Sequence, residues 1–175
     1  MTIEIIAIVI AVLIAAILIY AATRPDTFRI QRATTINAPP DKIFPLIDDL
    51  HAQRTWSPFE KDPAMKATHS GAPRGKGAAY EWSGNRHVGA GRVAITDTVP
   101  NSKVAMTLDM SRPFQCHNTV EFTVEPQGDA AVVTWAMQGP QPYMAKLMGV
   151  FIDCDKMCGG EFEKGLAKLK SLAEK

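Results

Sequence analysis

The sequence predicts an α+β fold: an antiparallel sheet of about seven strands, covered by one long C-terminal helix and preceded by one transmembrane helix. Three observations carry this. An uncharged apolar run opens the chain, period-two alternation punctuated by turn residues fills its middle, and apolar residues recur at three and four near its end.

The opening run, Ile5 to Ala22, contains no charge and no helix breaker until Thr23-Arg24-Pro25. A helix of that length spans about 27 Å, close to the roughly 30 Å hydrocarbon core of a bilayer. Tyr20 stands where an interfacial aromatic belongs. A cleaved signal peptide needs a basic leading segment and small residues spaced before the cut, whereas Met1 to Glu4 carry no Lys or Arg and only Ala21-Ala22 suits cleavage. A buried helix of a soluble domain shows some polar face, and this segment has none. Residues 1–24 are therefore read as a single-pass anchor and 25–175 as one domain. Arg24, Arg29 and Arg32 crowd the C-terminal side of the span, which by the positive-inside rule puts the domain on the cytoplasmic side of the cell's inner membrane. Cys116, Cys154 and Cys158 form an odd set without disulfide-framework spacing, in keeping with a reducing compartment.

A chain of 175 residues has room for one core. Without its apolar run the hydrophobic fraction falls to roughly 40 %, a little under the usual globular range, so the remainder is expected to fold as a water-soluble domain. The net charge of +1, with acids and bases nearly balanced, leaves no electrostatic footprint for nucleic acid.

The soluble part opens with a strand at Phe28 to Ile36, then a short helix from Pro40, where Ile43, Phe44, Leu46, Ile47 and Leu50 recur at helical spacing and Pro45 imposes a kink. His51 to Pro63 is irregular and predicts a loop with one further helical turn. Six strands follow at Met65–Ser70, Gly77–Ser83, His87–Thr98, Lys103–Met110, His117–Glu125 and Ala130–Gln138. Short turns between them imply a meander. Val104, Met106, Leu108 and Met110 share one face of their strand, as do Val120, Phe122 and Val124, Tyr80 and Trp82, Val93 and Ile95, and Val133, Trp135 and Met137. One face of the sheet is thus apolar. Leu147, Phe151, Cys154, Cys158, Phe162, Leu166 and Leu169 form the stripe of a helix that covers it, interrupted at Gly159-Gly160 by a hinge, a portal or a close packing contact.

These residues resemble the helix-grip superfamily of START lipid-transfer domains, birch-pollen-type allergens and polyketide cyclases. The resemblance runs from Phe28 to Lys170. It rests on Asn37-Ala-Pro-Pro-Asp-Lys-Ile-Phe opening the first helix, Trp56-Ser-Pro, Tyr80-Glu-Trp-Ser-Gly-Asn, Gly89-Ala-Gly-Arg, Arg112-Pro-Phe, Val133-Thr-Trp, and Gly160-Glu-Phe-Glu-Lys-Gly-Leu-Ala-Lys-Leu-Lys. It is most similar to the bacterial polyketide cyclase/dehydrase-like branch. The resemblance implies a hydrophobic cavity between sheet and C-terminal helix but no universal catalytic set. Where strand phase agrees with it, the expected lining is Tyr80, Trp82, Val93, Met106, Leu108, Phe122, Trp135 and Met137, with Met148 and Phe151 from the helical segment. The N-terminal anchor departs from the free-standing family domain and argues against a diffusing shuttle.

No catalytic constellation stands out. Cys154 and Cys158 lie one helical turn apart, yet two ligands make no metal site even with His117 nearby, and two small apolar thiols facing a core is the better reading. His117 is out of phase with Val120 and Phe122 and so points outward; Glu81 and Arg92 likewise oppose Trp82 and Val93. Gly75-Lys-Gly and Gly89-Ala-Gly lack the strand-loop-helix setting of a phosphate loop. No cofactor or metal is expected. The expected partner is a hydrophobic small molecule or lipid, with the membrane reached through Ile5 to Ala22. A cyclase or dehydratase-type enzyme, and a regulatory module without ligand, are the competing readings.

Overall fold

The computed structural model describes residues 2–175. Helix α1 (Thr2–Ala22) is long and apolar enough to cross a membrane, and most of its apolar side chains are exposed. Strand β1 (Thr27–Ile36) follows. The prolines then set the next turns: Pro40 opens the short α2 (Pro40–Ile43), and Pro45, lacking an N–H, restarts the chain as α3 (Pro45–Asp48). The stretch 51–63, expected as a loop with one further helical turn, is headed by a helix of 7 residues, α4 (Leu50–Trp56). Asp49 caps it by accepting hydrogen bonds from the backbone N–H of His51 and Ala52.

Strands β2 (Lys66–Gly71), β3 (Ala78–Ser83), β4 (Ala90–Val99), β5 (Lys103–Arg112), β6 (Cys116–Gln127) and β7 (Ala130–Pro140) form a meander. All pairings are antiparallel, and β1 closes against β7 to give the order β1-β7-β6-β5-β4-β3-β2. β4 begins three residues later than alternation predicts. Residues 84–89 are taken by a turn in which the Asn85 side chain accepts from the N–H of His87 and Val88, and Gly89 adopts a positive φ of 65°.

The C-terminal segment corrects the expectation of one helix running through Leu147 and Phe151. It forms a short α5 (Tyr143–Met148) and a long α6 (Cys154–Ala173), parted by residues 149–153. Gly149 ends the first, and Asp153 caps the second by accepting from the N–H of Lys156 at 3.0 Å. Gly159 and Gly160 lie inside a continuous helix, and Gly159 is a close-packing position rather than a hinge. α5 leans on α1, with the Tyr143 hydroxyl donating to the Leu18 carbonyl at 3.1 Å.

The core lies between the apolar face of the sheet and the helices. Phe162, Leu166 and Leu169 of α6 are buried with Ile30 and Ile36 of β1, Val120, Phe122 and Val124 of β6, and Val133 of β7. Gly165 lets α6 approach closely, since a Cβ there would sit 2.8 Å from the Trp135 ring and 3.0 Å from Pro58. Phe162 stacks on that ring at 4.2 Å. α6 therefore grips the β1–β7 side of the sheet and leaves the β3–β5 side uncovered by it.

Candidate functional site

Where α6 does not fill the concave face, a cavity of about 660 Å³ remains. That volume falls within the roughly 300–1,000 Å³ typical of small-molecule sites. Its floor is the sheet: Tyr80 and Trp82 of β3, Val93 of β4, Met106, Leu108 and Met110 of β5, Val120 and Phe122 of β6, and Trp135 of β7. Its roof is α4 with the loop that follows, including Leu50, Arg54, Trp56, Phe59 and Glu60, and the first turns of α6 through Met157, Cys158 and Glu161. His87 and Val88 of the β3–β4 turn and Pro113 and Phe114 of the β5–β6 turn complete the lining.

Most of the expected lining meets here because the inward phases of five neighbouring strands converge: Tyr80, Trp82, Val93, Met106, Leu108, Phe122 and Trp135 all border the cavity. Three expected positions do not. Met137 is half-buried against the core one step along β7, with its sulfur 3.9 Å from the Asn118 amide. Met148 and Phe151 are exposed, at 46 % and 71 %, because the break between α5 and α6 turns them away from the sheet.

Three features were not found in the sequence. The first is a polar cluster on the cavity wall. The Tyr80 hydroxyl donates to Oε1 of Glu60 at 2.9 Å, Arg54 donates to Oε2 of the same carboxylate at 2.9 Å, and the guanidinium lies 5.4 Å from the centre of the Tyr80 ring. Burial, and then the bond to Glu60, push the Tyr80 phenol well above its ordinary pKa, so it remains a donor across the physiological range. The second is Glu161, held low in pKa chiefly by Lys61 and then by Lys164. The third is a buried indole: Trp135 is 6 % exposed, and its N–H has no hydrogen-bond partner among the described residues. Asp49 capping α4, which presents Arg54, was the one signal the sequence offered for this wall.

The residues weighed for catalysis lie elsewhere or alone. His117 bonds to Asp109 across β5 and β6, both exposed on the outer face. Glu81 and Arg92 pair there too, at 3.2 Å. Cys154 is exposed, and Cys158 lines the cavity with its thiol pKa pushed up by burial. Among the described residues no three His, Cys, Asp or Glu side chains converge in a metal-binding arrangement.

The profile of a family described as polyketide cyclase / dehydrase and lipid transport matches residues 27–174, from the first residue of β1 to the end of α6. The chain belongs to this polyketide cyclase / dehydrase and lipid transport family. Solved structures share the architecture of this cyclase/dehydrase-family domain. A protein from Chromobacterium violaceum aligns with a TM-score of 0.59 at 17 % identity, covering 87 % of this chain and 99 % of its own. A solution structure from Thermobifida fusca gives 0.61 at 20 % identity, covering 83 % and 92 %. The Aha1 dimer from Colwellia psychrerythraea gives 0.60 at 16 %, covering 84 % and 96 %. At such identities the likeness is one of fold, the helix-grip arrangement of a seven-stranded antiparallel sheet and a long C-terminal helix. No curated protein matches the chain. The polyketide cyclase / dehydrase family and its fold suggest ligand binding or cyclase activity, while α1, outside the matched region, is a candidate membrane anchor.

Proposed function

We propose that this chain is a membrane-tethered binding protein whose cavity holds a hydrophobic small molecule or lipid. One observation carries the reading: a predominantly apolar cavity of about 660 Å³ stands between sheet and helices in a chain that begins with a membrane-length apolar helix. Each 100 Å² of apolar ligand surface removed from water contributes about 2.5 kcal/mol, so a greasy ligand needs few polar contacts to be retained. The anchor lets such a ligand partition from the bilayer rather than cross water. The cytoplasmic placement rests on Arg24, Arg29 and Arg32, which flank the C-terminal end of the apolar helix.

The test is native mass spectrometry of the full chain, released from mild detergent and examined for co-purified molecules. A defined small-molecule adduct supports binding and gives the ligand class, whereas a ligand-free mass from every preparation counts against it. Reporter fusions at the C-terminus test orientation, and activity of a periplasm-specific reporter alone would overturn the cytoplasmic side.

A cyclase or dehydratase-type enzyme is the second reading, and Glu60 is the observation that favours it, as a carboxylate on the cavity wall. Both its oxygens are already engaged, by the Tyr80 hydroxyl and by Arg54, rather than turned free toward a substrate. Binding is therefore ranked first. A ligand-free interaction module fits least well, because its interior would be filled.

A further inference from the structure

Resting on the reading of α1 as a membrane tether, the packing at its end fixes which face of the domain meets the bilayer. Residues 141–152 hold one charged side chain, Lys146, and it is buried and paired with Asp26. Met144, Met148, Phe151 and Ile152 of the same stretch are exposed. The acids that follow are occupied within the fold, since Asp153 caps α6 and Asp155 pairs with Arg32. An exposed apolar surface of this kind on a water-soluble domain marks a partner site.

Three bonds set the height of that surface. The Tyr143 hydroxyl donates to the Leu18 carbonyl, four residues or about 6 Å short of the end of α1. The Gln141 N–H donates to the Asp26 carbonyl at 2.7 Å, and Lys146 holds the Asp26 carboxylate. α5 therefore lies level with the last turn of α1, the depth at which a spanning helix passes from hydrocarbon to headgroups, and Tyr143 stands there as an interfacial aromatic.

The strand register extends the surface to the cavity. Thr27 pairs with Pro140, Thr119 with Gln138, Met110 with Cys116, Ala90 with Arg112 and Ser83 with Ala90, so the β3–β4 and β5–β6 turns stand at the end of the sheet where the chain leaves α1. Both turns border the cavity, and Phe114 in the second is exposed. α6 runs away from this end, its first turn bonded to Arg32 and its last to the Thr35 carbonyl, so the exposed Met157 brings the cavity wall to the same side.

We infer that Met144, Met148, Phe151 and Ile152 seat the domain in the headgroup region of the bilayer that α1 spans, with the cavity rim at Phe114 and Met157 turned toward the lipid. The occupant of this surface is the membrane rather than a second protein because α1 holds the patch at the bilayer surface. A hydrophobic ligand then moves between acyl chains and cavity along apolar side chains.

The full chain is assembled in lipid nanodiscs with a tryptophan substituted at one surface position, and the emission it adds to that of the wild type is compared with and without bromine on the acyl chains near the headgroups. The added emission of Phe151→Trp should fall about twofold or more, as for an apolar face sunk about 5–10 Å into the headgroup and acyl boundary. Asp129→Trp, in the exposed β6–β7 turn at the opposite end of the sheet, should lose less than about a tenth. Met148→Trp reads the same surface if Phe151→Trp disturbs the fold. Quenching of Phe151→Trp and Met148→Trp no greater than that of Asp129→Trp overturns this inference and leaves the tether and the cavity standing. Added emission that is blue-shifted yet unquenched means that protein covers the patch, which overturns it too. A chain that does not remain with the nanodiscs overturns the tether and this inference together.

Discussion

A Cβ placed on Gly159 would lie 2.1 Å from Nη2 of Arg32, so a side chain at this position of helix α6 would have to displace the guanidinium that reaches it from strand β1. The same guanidinium donates to the Asp155 carboxylate at 2.8 Å, to the Glu163 carboxylate at 2.8 Å and to the Asp155 carbonyl at 3.1 Å. One arginine thus binds α6 to the edge of the sheet across its first three turns. The neighbouring Gly160 meets nothing within 4 Å.

The two glycines should respond oppositely to alanine. Gly160→Ala gains helix propensity without a clash and is expected to raise Tm by about 2–4 °C, equivalent to about 1 kcal/mol. Gly159→Ala gains the same propensity but must expel the guanidinium from its carboxylates, and its Tm should fall below that of the wild type. Thermal melts of both variants in the same detergent check this, and a Gly159→Ala protein as stable as Gly160→Ala would show that the Arg32 clasp contributes nothing.

Filling the cavity should separate binding from folding. Leu108 is half-buried and borders the void opposite its cross-strand neighbour Val93, so Leu108→Trp extends into empty space rather than into packed core. Stability should change by less than about 1.5 kcal/mol, while retention of the hydrophobic adduct falls about tenfold or more. Phe122→Ala behaves differently. That ring is 2 % exposed and packs edge-on to Trp56 at 5.8 Å, so its loss should cost about 3–5 kcal/mol whether or not ligand is present. Chemical denaturation with parallel adduct quantification distinguishes the two.

The sheet was legible because its signals are local. Thr119, Glu121 and Thr123 alternate with Val120, Phe122 and Val124 within a few residues, and turn residues close each hairpin, so strand identity and inward phase both follow from short windows. The cavity floor came with them. Its roof did not, since Glu60 meets Tyr80 across 20 residues of chain with no periodicity linking them. Arg54 was hidden by the same irregular stretch, although Asp49 marks the start of its helix. At the other end, Leu147 and Phe151 sit at helical spacing from Cys154 and Cys158, and that coincidence masked the stop and start written by Gly149 and Asp153. Periodicity cannot distinguish a continuous helix from two whose phases match, whereas capping residues can.

Acid should loosen the wall that carries Arg54. The rings of His51 and His69 stack at 3.6 Å, linking α4 to β2, and Nε2 of His69 is buried without a hydrogen-bond partner. Burial first, then electrostatic interaction with His51 and Arg54, lower the His69 pKa from its ordinary 6.5, with a hydrogen bond to the Leu50 backbone and then the charge of Asp49 opposing. Because the folded state binds this proton less readily than the unfolded state, unfolding takes up protons as pH falls through the ordinary value and stability drops. The contribution is fully present above that value and lost below it. Wild-type Tm should therefore fall between about pH 7.5 and about pH 5.5, and His69→Gln should fall less over the same interval. Parallel slopes for the two proteins would remove His69 from the acid response.

The three thiols offer a direct reading of cavity occupancy. Cys154 is exposed on the first turn of α6 and does not line the cavity, Cys116 is exposed at its rim, and Cys158 is half-buried in its wall. Burial pushes the Cys158 thiol up in pKa, and the neighbouring Cys154, Asp155 and Glu161 add to the shift, so less of it is thiolate at neutral pH. Since the thiolate is the nucleophile, Cys158 should react with a small alkylating reagent at least about fivefold more slowly than Cys154, resolved by peptide mass spectrometry. A ligand in the cavity should then slow Cys158 and Cys116 further while leaving Cys154 unchanged. Uniform protection of all three would indicate global stabilisation instead, because a ligand lying between α4, α6 and the sheet has no contact with the outward face of Cys154. Equal rates at Cys158 and Cys154 in the ligand-free protein would mean that the first turns of α6 swing away from the sheet in solution, opening the cavity along the wall that Met157, Cys158 and Glu161 form.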